Sequence, residues 1–384
     1  MPSPLCQARR FNPQPQMTIL QYITPSRMGG AEEYFLRLVV HLRAQGHRVL
    51  VVTKRDTPLR HELEKRVASH GIELFAWHTR GKFDALTLSK LVKLIRRERV
   101  DLVHTHLTTA SWNGNIAARI CRVSAVAHVH AADSRTWFQW AHYQIAVARG
   151  VKAHLVAQGV KPRQIPVLYY GLDLSPHRVL ELRDARAQIG VPRDALVVGV
   201  VASLIERKGH RFLLEAIADS TQLRNLHAVF AGEGALLETL KEQVRVLELG
   251  NRVHFLGFCN DAKNVMAACD VVALPSLKEG LSIAVMEAMS LPRAVIATDI
   301  AGMPELVRDG ETGRLIPPNN IDALRLALED LISDDELRNR LALQGRAWLE
   351  EHFDQRKCLA EVEAFLVEVV ENWRQGARVD CTDR

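Results

Sequence analysis

No stretch of this 384-residue chain holds the roughly 20 consecutive apolar residues of a bilayer-spanning helix, so no transmembrane helix is expected. The opening MPSPLCQARRFNPQPQ has no apolar core and does not read as a signal peptide. It is expected to be a flexible leader, residues 1–16, before a first strand at Met17. Cysteine is sparse and scattered: Cys6, Cys121, Cys259, Cys269, Cys358 and Cys381 form no C-x-x-C pair. That argues against a disulfide framework and a structural zinc, and for a reducing, cytoplasmic setting. There is also no D-x-D triplet to hold a divalent cation; the nearest string, Asp309-Gly310-Glu311, falls in an expected turn. With 47% hydrophobic and 24% charged residues the composition excludes a disordered or collagen-like chain.

What is present is divided unevenly. Residues 1–190 carry 28 Lys and Arg against 13 Asp and Glu, a balance of +15, whereas residues 191–384 carry 22 against 31, or −9. Opposite polarity in the two halves points to two domains with different partners. Short apolar runs alternate with helical stretches throughout, the rhythm of β-α-β units and parallel sheets. In the first half TILQYIT, HRVLVVTK, ELFAW, DLVHTH, AVAHVH and YQIAVA read as strands. Helices are expected over Gly30–Gln45 and Leu86–Arg97, and PVLYYGLDLSPH reads as a linker. The second half restarts with LVVGVVASL, NLHAVFAGEG, RVHFLGF, DVVALPS, RAVIAT and GRLIPP, and a last helix spans Gln355–Asn372. The fold class is therefore α/β, two Rossmann-like domains facing across a cleft, with ligands expected beyond the carboxyl ends of the strands.

The densest chemical signal is residues 274–318. Gly280 breaks a loop, Ser282 is a helix N-cap, and Ile283–Met289 is a good helix former. The free N–H groups of that helix start then make an anion site. Glu279 lies in the loop, and Glu287 one to two turns into the helix. A carboxylate there can accept the two vicinal hydroxyls of a ribose, and one in the loop can hold sugar hydroxyls. Spacing alone allows equally that both are solvated charges. Two H-x-H pairs, His104 with His106 and His128 with His130, each put two imidazoles on one strand face, as in metal-dependent hydrolases. No well-placed Asp or Lys completes such a site, and the pattern indicates two domains rather than one barrel.

EGLSIAVMEAM, RAVIATDIAGMPELV and DGETGRLIPP, in this order, resemble the E-x7-E block of the retaining family 4 glycosyltransferases, which have the GT-B fold. The resemblance extends to VASLIERKGHRFLLEAI, AVFAGEGALLETL, VHFLGF, GGAEEYFLRLVVHLRAQGHRVLVVT and VDLVHTH, and covers Met17 to about Asn372. It implies domains at 17–175 (acceptor-binding) and 176–353 (sugar-nucleotide-binding), with residues 354–384 forming a helix that crosses back, and a tail. It assigns His130, Glu279, Lys208 and Arg207 to catalysis, the two cations gripping the diphosphate in place of a metal. Glu287, Gly280, Leu281, Ser282, Ile283, Gly257, Phe258, Gly232 and Gly234 are assigned to the donor, and Gly29, Gly30 and His106 to the acceptor or a phosphate. His130 is expected to face the donor sugar.

Three departures from the family pattern are visible: Ser203 where another Arg is common, Tyr170-Gly171-Leu172-Asp173 where Asn leads, and Ala148 where Ser is common. The expected activity is metal-independent, cofactor-free, retaining transfer from a nucleotide-sugar, by family precedent a UDP-sugar, to a glycan or lipid-linked acceptor of cell-surface polysaccharide. A GT-B sugar-nucleotide epimerase, a non-catalytic sugar-nucleotide-binding subunit and a metal-dependent hydrolase are the alternatives. Seven basic residues between Arg80 and Arg99, with Lys90, Lys93 and Arg97 on one helix face opposite Leu88, Leu91 and Ile95, suggest peripheral contact with an anionic membrane. Nucleic acid is not expected, since no recognition motif accompanies the patch.

Overall fold

The structure, a computed structural model, describes residues 16–26, 28–175, 182–259 and 261–376. Apart from Gln16, the expected leader lies outside these residues, as do Cys6, Cys381 and the tail beyond Gly376. The first half lays down strands β1 (Thr18–Ile23), β2 (Arg48–Lys54), β3 (Glu73–Trp77), β4 (Leu102–His106), β5 (Ser124–Val129) and β6 (Tyr143–Ala146). Helices α1 (Gly30–Ala44), α2 (Pro58–His70), α3 (Ala85–Arg97), α4 (Thr108–Cys121) and α5 (Arg149–Ala157) connect or follow them. The sheet order is β3-β2-β1-β4-β5-β6, with every pairing parallel.

After α6 (Leu182–Gln188) the second half repeats the plan with β7 (Leu196–Val201), α7 (His210–Ala218), β8 (Leu226–Ala231), α8 (Leu237–Val246) and β9 (Val253–Gly257). It continues through α9 (Ala262–Ala267), β10 (Val271–Leu274), α10 (Ile283–Ser290), β11 (Ala294–Thr298), α11 (Met303–Leu306) and β12 (Arg314–Ile316). Its parallel order, β12-β11-β10-β7-β8-β9, matches that of the first sheet. Strands such as AVIAT and VVAL are buried along their whole length because helices cover both faces, which is why they read as unbroken apolar runs.

Helices α12 (Ile321–Ser333), α13 (Asp335–His352) and α14 (Gln355–Arg374) close the chain. Asn320, Asp334 and Asp354 cap their starts, each side chain accepting a backbone N–H of the first turn. Leu172 in the linker bonds Phe353 and Gln355 through its backbone, so the outgoing and returning chains cross side by side. A Cβ at Gly171 would collide with the Gln355 backbone, so only glycine lets the strands approach this closely. α14 then packs on the first domain: Glu363 accepts from His41 (2.9 Å) and His47 (3.2 Å), and Arg374 pairs with Asp101 (2.6 Å). One apolar body runs from the first sheet through Tyr170 and Leu172 to Leu281, Ile283 and Met303 of the second domain.

Candidate active site

On the second-domain side the site is built at the carboxyl ends of β7 and β10. Ser282 accepts the Val285 N–H, so α10 begins where the sequence places it and its remaining first-turn amides stay available. Lys208 lies at the end of a single 3-10 turn, Glu206–Lys208, closed by Gly209 at φ 71°. Gly209 is obligatory, because a Cβ would run into the Pro275 carbonyl oxygen. The Lys208 ammonium donates to the Glu279 carboxylate at 2.5 Å, and the two side chains are only 14% and 9% exposed. Arg207 donates to the Lys278 carbonyl (3.3 Å), and its own carbonyl accepts the Leu277 N–H (2.8 Å). Arg207, Lys208 and Glu279, more than seventy residues apart in sequence, thus form one charged cluster beside the α10 N-terminus. Ser203 follows β7 and adds no further charge.

The donor-side glycines have structural reasons. Gly232 and Gly234 press against the backbone of Ala202 and Leu204, and the Gly232 N–H donates to the Gly257 carbonyl at 2.8 Å. Gly257 has φ 67°, and the Phe258 side chain beside it is 62% exposed. Glu287, partly buried on α10, has a carboxyl pKa raised by burial, countered by the charges of Lys263 and Arg37. Arg37 belongs to α1 of the first domain, so Glu287 lies where the two domains approach.

Across the cleft, Gly29 and Gly30 open α1, and a Cβ at Gly30 would stand 3.3 Å from the Ile283 Cδ1. Gly280 abuts the His130 carbonyl, and Ala131 pairs antiparallel with Gly280. Lys278 and Asp133 form an ion pair across the gap at 2.9 Å. Gly30 with Ile283, and Gly280 with His130 and Ala131, are therefore brought together where the two domains meet.

The histidines form an ordered array. β4 and β5 are neighbours with His106 opposite His128, so the two H-x-H pairs share one face. Burial holds Tyr170 well above its ordinary pKa, so its phenol stays protonated, and with Gln21 Oε1 accepting at the far end of the chain it donates to His130 Nδ1. His130 Nε2 must then donate to His106 Nδ1 (3.1 Å), and His106 Nε2 to Gln21 Oε1 (3.1 Å). Gln21 Nε2 in turn donates to His104 Nδ1 (3.1 Å). Every link has one donor and one acceptor, so the chain assigns the tautomers of His130, His106 and His104; the His128 ring nitrogens take no part in it. Desolvation pushes His104 and His130 down to about 3, and His106 and His128 well below the usual imidazole range. All four rings are neutral at pH 7.

Two sequence expectations change here. Both ring nitrogens of His130 are engaged within the first domain, so its side chain presents no free polar atom to a donor sugar; what faces the second domain is its carbonyl. His106, expected at an acceptor or phosphate, is fully buried between His130 and Gln21. Nitrogens of His104, His106 and His128 lie within 4.8 Å of one another, the spacing of a metal set. The His106 and His128 rings, however, are stacked at 15°, and those of His128 and His130 at 14°. Imidazole lone pairs lie in the ring plane, so stacked rings point them side by side rather than at one point. Within the set only the His106–His128 pair is stacked; the His104 ring is tilted 50° from His106 and 35° from His128.

Glu305 stands out in the structure without having been singled out in the sequence. Its carboxylate accepts the Arg149 N–H (2.9 Å), the Gly150 N–H (3.1 Å) and the Tyr169 hydroxyl (2.7 Å). It caps α5 from the other domain, supplying what Ala148, at the N-cap position, lacks. Helix-start chemistry without a local capping side chain was the available sequence signal.

Two family models match end to end, Glycosyltransferase Family 4 over residues 28–176 and Glycosyl transferases group 1 over residues 183–348. The chain belongs to the family 4 glycosyltransferases. It is 28% identical over 346 residues to the Escherichia coli UDP-Gal:alpha-D-GlcNAc-diphosphoundecaprenol alpha-1,3-galactosyltransferase, with 84% of this chain and 89% of that one covered. It is 27% identical to the lipopolysaccharide core biosynthesis glycosyltransferase LpsE of Rhizobium meliloti, with coverage of 84% and 91%. Among solved structures, Anabaena HepE in complex with UDP-glucose superposes with a TM-score of 0.82 at 26% identity, covering 92% of this chain and all of that one. The lipopolysaccharide glycosyltransferase WaaG shares the fold at a TM-score of 0.72 and 18% identity. Both sheets and the cleft between them are thus those of a GT-B glycosyltransferase.

Proposed function

We propose that this glycosyltransferase moves a sugar from a UDP-sugar to a glycan or lipid-linked acceptor in cell-surface polysaccharide synthesis, retaining the anomeric configuration and using no metal. The observation that carries the reading is the cluster of Arg207, Lys208 and Glu279 against the α10 N-terminus. A departing diphosphate develops negative charge, and fixed cations with helix-start amides stabilise it without reorganising. Glu287 holds the ribose hydroxyls, and the Glu279 carboxylate, oriented by Lys208, holds the transferred sugar. The UDP preference draws support from the names of the galactosyltransferase and of the HepE complex, and the acceptor class from the diphosphoundecaprenol substrate of the former.

The acceptor proton leaves with the departing phosphate on the same face as the attack, which keeps the configuration and needs no histidine base, consistent with neutral, internally bonded imidazoles. The enzyme works peripherally on the anionic inner face of the plasma membrane, a reading supported by the +15 balance of residues 1–190.

A thermal-shift screen of UDP-, GDP- and ADP-sugars tests the donor, because a ligand of the folded state raises its melting temperature. Stabilisation by UDP-sugars is expected to exceed that by the other two classes, and to persist with EDTA. No shift with any nucleotide-sugar refutes the reading, and an inverted first product, seen by NMR, refutes retention.

A further inference from the structure

The most exposed large apolar side chain among the described residues is Phe83, at 80%, followed within one turn by Leu86 at 63%. Neither position is slack. Asp84, buried between them, accepts N–H groups from Arg80 (2.8 Å), Leu86 (3.0 Å) and Thr87 (3.1 Å) and the Thr87 hydroxyl (2.8 Å). The Arg80 amide above all holds its carboxyl down at about 2. Asn113 of α4 donates to the Gly81 carbonyl at 3.1 Å. A turn locked from both sides therefore holds a phenyl ring and a leucine out in solvent.

The surroundings are aromatic and cationic. The Phe83 ring meets Trp112 edge-on at 5.5 Å, and Trp112 meets Trp137 at 6.0 Å and Trp140 at 6.4 Å. Lys82 Nζ sits 3.2 Å from the Trp137 ring centroid, and Arg119 lies 5.7 Å from that of Trp140. Lys90, Lys93 and Arg97 stand exposed along α3, while Leu91, Leu94 and Ile95 are buried beneath. Trp137 and Trp140 belong to the 131–142 segment, whose Ala131 and Asp133 meet Gly280 and Lys278 across the cleft. Trp112 lies near the start of α4, just after β4, so this face adjoins the cleft mouth on the acceptor side.

We propose that the turn at residues 80–84, the start of α3 and Trp112, Trp137 and Trp140 form a membrane-insertion face. Phe83 and Leu86 enter the acyl boundary of an anionic bilayer, the tryptophans sit at headgroup level, and the flanking lysines and arginines contact lipid phosphates. This deepens the membrane placement given above and rests on it. Apolar residues at a rigid tip, an aromatic layer behind them and cations around the rim are the arrangement that suits the graded polarity of a bilayer surface. Charge complementarity selects anionic lipid. A bilayer docked here would present a lipid-linked acceptor directly to the cleft mouth.

The test uses the full chain with phosphatidylglycerol and phosphatidylcholine vesicles. Phosphatidylglycerol vesicles are expected to bind it and phosphatidylcholine vesicles to bind at least tenfold more weakly, with tryptophan emission shifting to the blue and quenched by brominated lipid. Phe83→Ser with Leu86→Ser, which leaves the charge unchanged, should weaken binding tenfold or more with little change in melting temperature, since both side chains are mostly exposed. UDP-sugar stabilisation in solution should also be unchanged, which separates failure of this proposal from failure of the transferase reading. No phosphatidylglycerol binding, binding unaltered by the double substitution, or capture by a single-stranded oligonucleotide without vesicle binding would each overturn it.

Discussion

Lys208 contributes in two separable ways, and substitution can tell them apart. The Lys208–Glu279 pair is largely withdrawn from water, so Lys208→Met leaves an uncompensated, mostly buried carboxylate. Such a loss costs about 3 kcal/mol of stability, whereas replacing both partners of a buried pair by apolar groups of similar size is close to neutral. Lys208→Met should therefore lower stability by about 3 kcal/mol, and adding Glu279→Leu should restore it to within about 1 kcal/mol of the parent. Activity should not follow stability. If the ammonium stabilises the leaving diphosphate, kcat/KM falls roughly a hundredfold or more in the single variant and stays down in the double. Urea denaturation and initial-rate kinetics on three proteins suffice. A double variant that regains both stability and turnover would refute the catalytic role and leave the pair a structural one.

Glu287→Ala should weaken nucleotide binding by about 1.5–3 kcal/mol, the scale of hydrogen bonds to a charged group; unchanged affinity by calorimetry removes Glu287 from the ribose. The buried histidines make stability pH-dependent. Their folded pKa values lie below the ordinary value of about 6.5, so below that pH the unfolded chain binds protons that the folded chain does not. Stability is thus fully present above about pH 6.5 and lost as pH falls toward about 3, at up to roughly 1.4 kcal/mol per pH unit for each ring; urea midpoints equal at pH 7 and 5 contradict this. Glu305→Ala removes three hydrogen bonds and the α5 cap, and should cost about 2–4 kcal/mol of stability, while Glu305→Gln retains a neutral cap and costs less; identical denaturation of the two variants would argue against the clamp.

Strand identity and sheet class were legible because in a parallel sheet the local code and the tertiary environment agree. Runs such as LVVGVV are apolar throughout since both faces are covered, and helix starts such as that at Ser282 carry their own cap. The cluster of Arg207, Lys208 and Glu279 was legible only through the ordered family motifs, because no local rule joins residues seventy positions apart. The histidines divide the two sources of information sharply. Alternation along a strand places His104 with His106, and His128 with His130, on one face each. Whether those faces coincide depends on strand order and register, which pairing across the sheet decides.

The hydrogen-bond partners of His130 were decided later still, by Tyr170 arriving from the linker. A hydrogen bond is directional and short-ranged, so it depends on where distant backbone segments come to rest. The same holds for Glu305. Its motif was visible, but the helix start that it caps lies in the other domain, and only docking of the two sheets brings a carboxylate to the N–H groups that Ala148 leaves uncapped. Apolar periodicity and capping chemistry, which act over a few residues, were thus written in the sequence. Charge pairing, tautomer and inter-domain contact act through space, and the tertiary structure alone determined them.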